Sequence, residues 1–149
     1  MGDNEMKKIV ILLNIMFLFC CVGCKNKIED VVREQYRLQK DSTQKVVDLS
    51  KELNFEWDTL YVFGMGQSAE TMEKVVNAPI PYAFDLTDVV IFKKDGRITH
   101  YEATPIEDRG EDDVWFHYEG DYLVVPKESA RFFIRKNELG YYMLYHNSY

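Results

Sequence analysis

The sequence of 149 residues is poor in cysteine, and the three cysteines that it has lie near its start. They are Cys20, Cys21 and Cys24, and none follows residue 24. The rest of the chain therefore has no thiol for a disulfide framework, a zinc–thiolate site, an iron–sulfur cluster or cysteine catalysis. Cys21-x-x-Cys24 has the spacing of a redox or metal motif, but it lies in an apolar leader and no βαβ pattern surrounds it.

The sequence also lacks an apolar run long enough to span a membrane comfortably. Its longest run covers residues 9–22, whereas a transmembrane helix needs roughly 20 apolar residues. Lys7 and Lys8 precede the run and small residues follow it, which is the pattern of an export signal. We therefore predict a signal peptide over residues 1–23, with Met6 as the true start.

Four residues at the end of this leader, Cys21-Val22-Gly23-Cys24, resemble the lipobox of bacterial lipoproteins. That pattern is Leu, a small or β-branched residue, Gly or Ala, and the lipidated Cys; Cys21 replaces the usual Leu. The resemblance implies that Cys24 carries a diacylglycerol and acyl chains such as palmitate, and begins a tether of residues 24–27. Two or three chains make a lasting anchor, because each buried CH₂ contributes about 0.8 kcal/mol. The alternative is an ordinary signal peptide or signal anchor with an incidental thiol at Cys24.

The lipidated Cys24 predicts a place in the bacterial cell envelope, anchored to the outer membrane and either periplasmic or exposed at the cell surface. The net charge of −7 disfavours nucleic acid as a partner, because an acidic protein repels phosphate backbones. The predicted partners are the lipid bilayer, through the acylated N-terminus, and another protein of the envelope. No cofactor is predicted besides the covalent lipid, and no metal.

The remaining residues, 28–149, are enough for one domain, and their patterns predict an α+β fold. Apolar residues at helical spacing between Ile28 and Leu53 predict one long amphipathic helix, or two that meet near residues 41–42. A strand is predicted over residues 57–63, with Trp57, Tyr61 and Phe63 on one face. A short helix follows, with Ser68 as its N-cap and Ala69, Met72, Val75 and Val76 on its apolar face.

Three hairpins are predicted after this short helix. The clearest turns at Asp95-Gly96, because both residues tolerate the positive φ of a type I′ turn. With the earlier strand they predict an antiparallel sheet of about five to seven strands, covered by the N-terminal helix. The paired segments are Asp88–Lys94 with Arg97–Thr104, Val114–Tyr118 with Tyr122–Val125, and Arg131–Lys136 with Tyr141–His146.

The stretch Phe55-x-Trp57-Asp58-x-Leu60-Tyr61-Val62-Phe63-Gly64, with Val90–Gly96 later in the chain, resembles a pattern of small uncharacterised bacterial lipoproteins and secreted proteins. The resemblance covers about a third of the chain and rests on strand and turn residues. It implies a shared fold and assigns no catalytic residue.

Few residues stand out as candidates for a site, and none is predicted to be catalytic. G-x-S-x-G, H-E-x-x-H and a Gly-rich phosphate loop do not occur. Trp57 and Tyr61 are the candidates for binding, and the alternative is that they belong to the core. Three other features each have an ordinary interpretation and a rarer one. His100, His117 and His146 are either scattered strand histidines or a zinc site. Residues 107–113 are either a solvated loop or a calcium loop, and Gly64-Met65-Gly66 is either a sharp turn or an anion site.

These features predict a membrane-tethered lipoprotein with a non-enzymatic binding or structural role. One alternative is an inhibitor or immunity protein whose acidic face covers a basic toxin or hydrolase. The other is a hydrolase with residues dispersed over the sheet. A pocket where histidines and carboxylates converge would favour the hydrolase, and a flat aromatic or acidic patch would favour binding.

Overall fold

A computed structural model describes residues 27–81 and 86–146. The predicted leader, Cys24 and Tyr149 lie outside the described residues. Within these two ranges, three α-helices and eight strands form an α+β fold, as predicted. None of those helices is long and apolar enough to cross a bilayer.

The helices pack on two four-stranded sheets. Sheet A has the strand order β1-β7-β8-β5, and sheet B has the order β4-β3-β2-β6. Neighbouring strands are antiparallel except β5 and β8, which are parallel. The helices are α1 (Ile28–Leu38), α2 (Leu49–Glu52) and α3 (Ala69–Val76), and the strands are β1 (Lys45–Asp48), β2 (Thr59–Phe63), β3 (Thr87–Lys94), β4 (Arg97–Pro105), β5 (Val114–His117), β6 (Tyr122–Pro126), β7 (Arg131–Lys136) and β8 (Tyr142–Tyr145).

The single long helix predicted between Ile28 and Leu53 is wrong, because α1 ends at Leu38. The alternative of two helices is right about a break near residues 41–42, but the strand β1 and only then the four-residue α2 follow it. The side-chain amide of Gln39 donates to the carbonyl of Val46 at 2.7 Å and accepts from its N–H at 2.9 Å. The Gln39 side chain thus makes the two hydrogen bonds to the Val46 backbone that a neighbouring strand would make. On the other side, Val46 lies opposite Phe133 of β7. That pairing is distant in sequence, and helical periodicity does not reveal it.

Two of the three predicted hairpins are confirmed. β3 and β4 are joined by Asp95 and Gly96, with φ of 48° and 79°, as a type I′ turn requires. β7 and β8 also pair antiparallel. The hairpin predicted for β5 and β6 is wrong, because β5 lies beside β8 while β6 pairs with β2. This pairing places Val125 opposite Leu60 and completes the inner face of sheet B, so the strands divide over two sheets instead of one.

The larger cluster of buried side chains lies between the two sheets. Sheet B contributes Leu60 and Phe92 to it, sheet A contributes Phe132, and α1 contributes Val32. Trp57 belongs to the same cluster and is only 1% exposed. The indole meets Phe92 edge-on, with ring centroids 5.0 Å apart.

The opposite face of sheet B packs against α3. Tyr61 and Phe63 lie there with Met72 and Val76 in a second buried cluster. The prediction that Trp57, Tyr61 and Phe63 share one face against the N-terminal helix is therefore wrong. β2 begins only at Thr59, so strand alternation does not extend back to the tryptophan.

Candidate functional site

A cavity of about 300 Å³ lies between the sheets, where β2 ends and β3 begins. Its walls come from the inner face of sheet B, from β5 at the edge of sheet A, and from the first turn of α1. Its size is at the lower limit of small-molecule sites. The apolar side chains that line it include Ile28, Val62, Val90, Val114 and Phe116.

Polar groups line this cavity because the inner face of β3 and β4 is apolar at Phe92 and polar toward the start of β3. Asp88 lies opposite Thr104, and Val90 lies opposite Glu102. Strand alternation directs these four side chains to the same face as Phe92, which is the inner face of the sheet. One end of an otherwise apolar face is therefore lined by carboxylates and a hydroxyl.

Arg109 neutralises one of those carboxylates. Its Nη2 lies 2.7 Å from Asp88 Oδ2, and the two side chains are only 10% and 15% exposed. Its Nη1 donates to the carbonyl of Val114 at 3.0 Å, and the guanidinium covers the Trp115 ring at 4.2 Å. These contacts join the loop after β4 to both β3 and β5 and form one wall of the cavity.

Glu29, in the first turn of α1, supplies a carboxylate that has no such partner. Its Oε2 is buried and forms no hydrogen bond with the described residues. Burial, followed by repulsion from Glu102, raises the pKa of Glu29. A hydrogen bond between the carboxylate and its own backbone N–H, and the charges of Arg109 and Lys27, oppose the rise. Across the described ranges, neither Glu29 nor Glu102 forms an ion pair with a lysine or arginine.

Tyr118 borders the cavity beside Gly64. A Cβ at Gly64 would lie 3.1 Å from Tyr118 Oη, so the absence of a side chain there admits the phenol. Burial, and then the charge of Asp88, raises the pKa of Tyr118, which keeps the phenol protonated at neutral pH. Beyond Gly64, the Ser68 hydroxyl accepts from the Thr71 N–H at 3.1 Å and caps α3. Gly64-Met65-Gly66 is thus a turn that makes room for Tyr118.

The three histidines do not come together. On β4, His100 Nε2 lies 3.9 Å from Glu102 Oε2. His117 is exposed at the end of β5, where it lines the cavity and packs on Tyr145 with ring centroids 4.6 Å apart. His146 contacts a backbone carbonyl at 2.9 Å. In the part of the chain that the structure describes, no three His, Cys, Asp or Glu side chains are placed to hold a metal ion.

The acidic loop at residues 107–113 does not direct its carboxylates to a common point. Asp112 pairs with Lys136 at 2.6 Å. Asp113 Oδ2 accepts from the Gly110 N–H at 2.8 Å. The first contact reaches β7 and the second stays within the loop, so the two carboxylates have separate partners, which fits the interpretation of a solvated loop between strands.

Trp57 and Tyr61, the binding candidates from the sequence, are 1% and 9% exposed and do not line the cavity. Their burial assigns both to the core. The sequence analysis did not single out Glu29, because an acid in a first helical turn is ordinary. Arg109 did carry a signal, since it is the one base in an acidic run.

The sequence also contains the spacing Ser42-x-x-Lys45, which some serine hydrolases use. Ser42 lies in the turn between α1 and β1, and Lys45 is the first residue of β1. Lys45 Nζ donates to the backbone carbonyl of Ser42 at 3.1 Å, and the serine hydroxyl donates to the carbonyl of Gln44 at 2.6 Å. The amine thus contacts the backbone rather than the hydroxyl, which is not the arrangement of an activated nucleophile.

Comparison of the chain with protein-family models, with curated proteins and with solved structures finds no match. Its function is therefore inferred from its own residues.

Proposed function

We propose that this chain is a lipid-anchored protein of the bacterial cell envelope that binds a small molecule in the cavity between its sheets, without transforming it. The cavity is the observation that supports binding. Small-molecule sites are concave clefts or cavities of roughly 300–1,000 Å³ with mostly apolar walls and a few polar groups. A volume of about 300 Å³ corresponds to about ten water molecules at about 30 Å³ each.

The contacts around the cavity favour binding over the hydrolase alternative. Nucleophilic catalysis needs a nucleophile beside a free base. The carboxylate of Asp88 is already paired with Arg109. His117 also lines the cavity, but its ring packs on Tyr145. Among the described residues, no serine, cysteine or lysine lines the cavity as a nucleophile that this ring could activate.

The binding role is tested by thermal unfolding of the full chain with a set of small acids, amines and neutral compounds. We expect some of them to raise the midpoint, since saturation at about 100 times Kd stabilises by about 2.7 kcal/mol. Val90→Trp should place an indole in the cavity and abolish these shifts. Val124→Trp, at a position 40% exposed on β6 and outside the cavity lining, is the matched control and should keep them. If no compound raises the midpoint of the wild type more than that of Val90→Trp, the binding role is wrong.

The tether is tested by Cys24→Ala. We expect the variant to lose palmitate labelling and any processed protein to leave the membrane fraction, because one thiol carries the proposed anchor. A variant that still labels and remains in that fraction would contradict the lipoprotein assignment. Protease treatment of intact cells then distinguishes a surface-exposed chain from a periplasmic one.

A further inference from the structure

The charges that line the cavity do not balance. Glu29, Asp88 and Glu102 face a single guanidinium, that of Arg109. Arg109 contacts Asp88, so Glu29 and Glu102 have no lysine or arginine partner among the described residues, and only the ring of His100 lies near Glu102, at 3.9 Å. A buried charge without a partner is costly, and proteins normally pair it.

Resting on the proposed binding role, we propose that the cavity binds a small organic cation: an amine on an apolar body, with its ammonium between Glu29 and Glu102. A primary ammonium has three donors and no acceptor, and the unpartnered Glu29 Oε2 is an acceptor. Hydrogen bonds between charged groups are about twice as strong as neutral ones. The body of the ligand would contact Val62, Val90 and Phe116.

An acid of the same shape is disfavoured by the same groups. Its carboxylate would meet the like charges of Glu29 and Glu102, and both Nη atoms of Arg109 are already bound, to Asp88 and to the carbonyl of Val114, which leaves only its Nε as a donor without a partner. A neutral alcohol would gain the apolar contacts but no charge-assisted bond. The proposal therefore predicts selection by the charge of the head group.

Glu29 also links ligand binding to the stability of the ligand-free chain. The groups that face it are Glu102, Arg109 and Lys27, with His100 beyond Glu102. Because its pKa is raised in the folded state, its contribution to stability is present below the unfolded pKa and is lost as pH rises through the folded pKa. Cation binding has the opposite dependence and should strengthen as the pH rises through the pKa of Glu29.

The test compares three probes with one apolar body: 4-phenylbutylamine, 4-phenylbutan-1-ol and 4-phenylbutyrate. Affinities for the full chain are measured by calorimetry in one detergent at one concentration, so that probe partitioning into micelles is the same for every variant. We expect the amine to bind about tenfold more tightly than the alcohol, and the acid not to bind.

Glu29→Gln should weaken the affinity for the amine by about tenfold and leave the affinity for the alcohol unchanged. It should also raise the melting midpoint of the ligand-free chain at neutral pH. A purely structural role for Glu29 would not combine a more stable chain with a weaker amine complex. Glu128→Gln, at an exposed position outside the cavity lining, is the matched control and should change none of these values.

Equal affinities for the amine and the alcohol, or a Glu29→Gln variant that weakens both alike, would overturn the cation preference and leave the binding role standing. Binding of the acid but not of the amine would do the same. The binding role itself fails only if no compound separates wild type from Val90→Trp.

Discussion

Trp57→Ala is expected to lower the free energy of unfolding by about 3–5 kcal/mol, a large share of the roughly 5–15 kcal/mol that a folded domain has. The indole is 1% exposed between the two sheets. Its edge meets Phe92, and the amine of Lys127 lies 5.5 Å from its ring centroid. Truncation would leave a void that these neighbours cannot fill without moving the sheets. Denaturant or thermal melts of the chain lacking residues 1–24 measure the loss.

Tyr145→Ala is the matched aromatic control. Tyr145 is half-buried on the outer face of sheet A, where it contacts His117 and the guanidinium of Arg135. Its loss should therefore cost much less than that of Trp57, and we expect Tyr149→Ala, outside the described residues, to cost little as well. An unchanged midpoint for Trp57→Ala would contradict its place in the core and restore it as a candidate contact for a partner.

Arg109→Met is expected to be nearly as damaging. Removing one member of a buried ion pair typically costs about 3–5 kcal/mol, because the remaining charge stays buried and uncompensated. Here that charge is Asp88, whose side chain is 15% exposed. The variant would also lose the bond to the carbonyl of Val114 and the stacking on Trp115. Chemical denaturation gives the change in free energy.

Two further variants separate the ion pair from general damage to the loop. Asp88→Asn combined with Arg109→Met should recover part of the loss, because no unpaired charge remains. Lys136→Met breaks the more exposed pair with Asp112 beside the same loop, and should cost about 1 kcal/mol or less. If Arg109→Met costs no more than Lys136→Met, the buried pair does not stabilise the cavity wall as we expect.

Local patterns predicted the elements whose pairing is also local. Asp95-Gly96 predicted the β3–β4 turn because the conformation that it needs belongs to those two residues. Pro126 acts in the same local way, because it lacks a backbone N–H donor, and β6 ends at it at the edge of sheet B. β1 was mistaken for helix because its strand partner, β7, is far along the chain.

The cavity could not be predicted from the sequence, for a related reason. Its charged groups come from four separate segments: Glu29 from α1, Asp88 from β3, Glu102 from β4, and Arg109 from the loop that follows β4. Arg109 stands out as the one base in an acidic run, but the other three residues are unremarkable in their own segments. The β3–β4 hairpin places Asp88 and Glu102 on one face, whereas the packing of α1 and sheet A on sheet B, which no local signal encodes, adds Glu29 and closes the cavity.

The pairing of β1 with β7 also constrains the time at which the protein can fold. β1, near the start of the described residues, has no strand neighbour among them until residues 131–136 exist, and β5 has none until β8 follows. Closing such long loops slows folding, because their entropy is lost before the contacts form. A chain that crosses a membrane N-terminus first would therefore keep sheet A open through most of its passage. The cavity, walled by both sheets, would form only after the last strands had emerged.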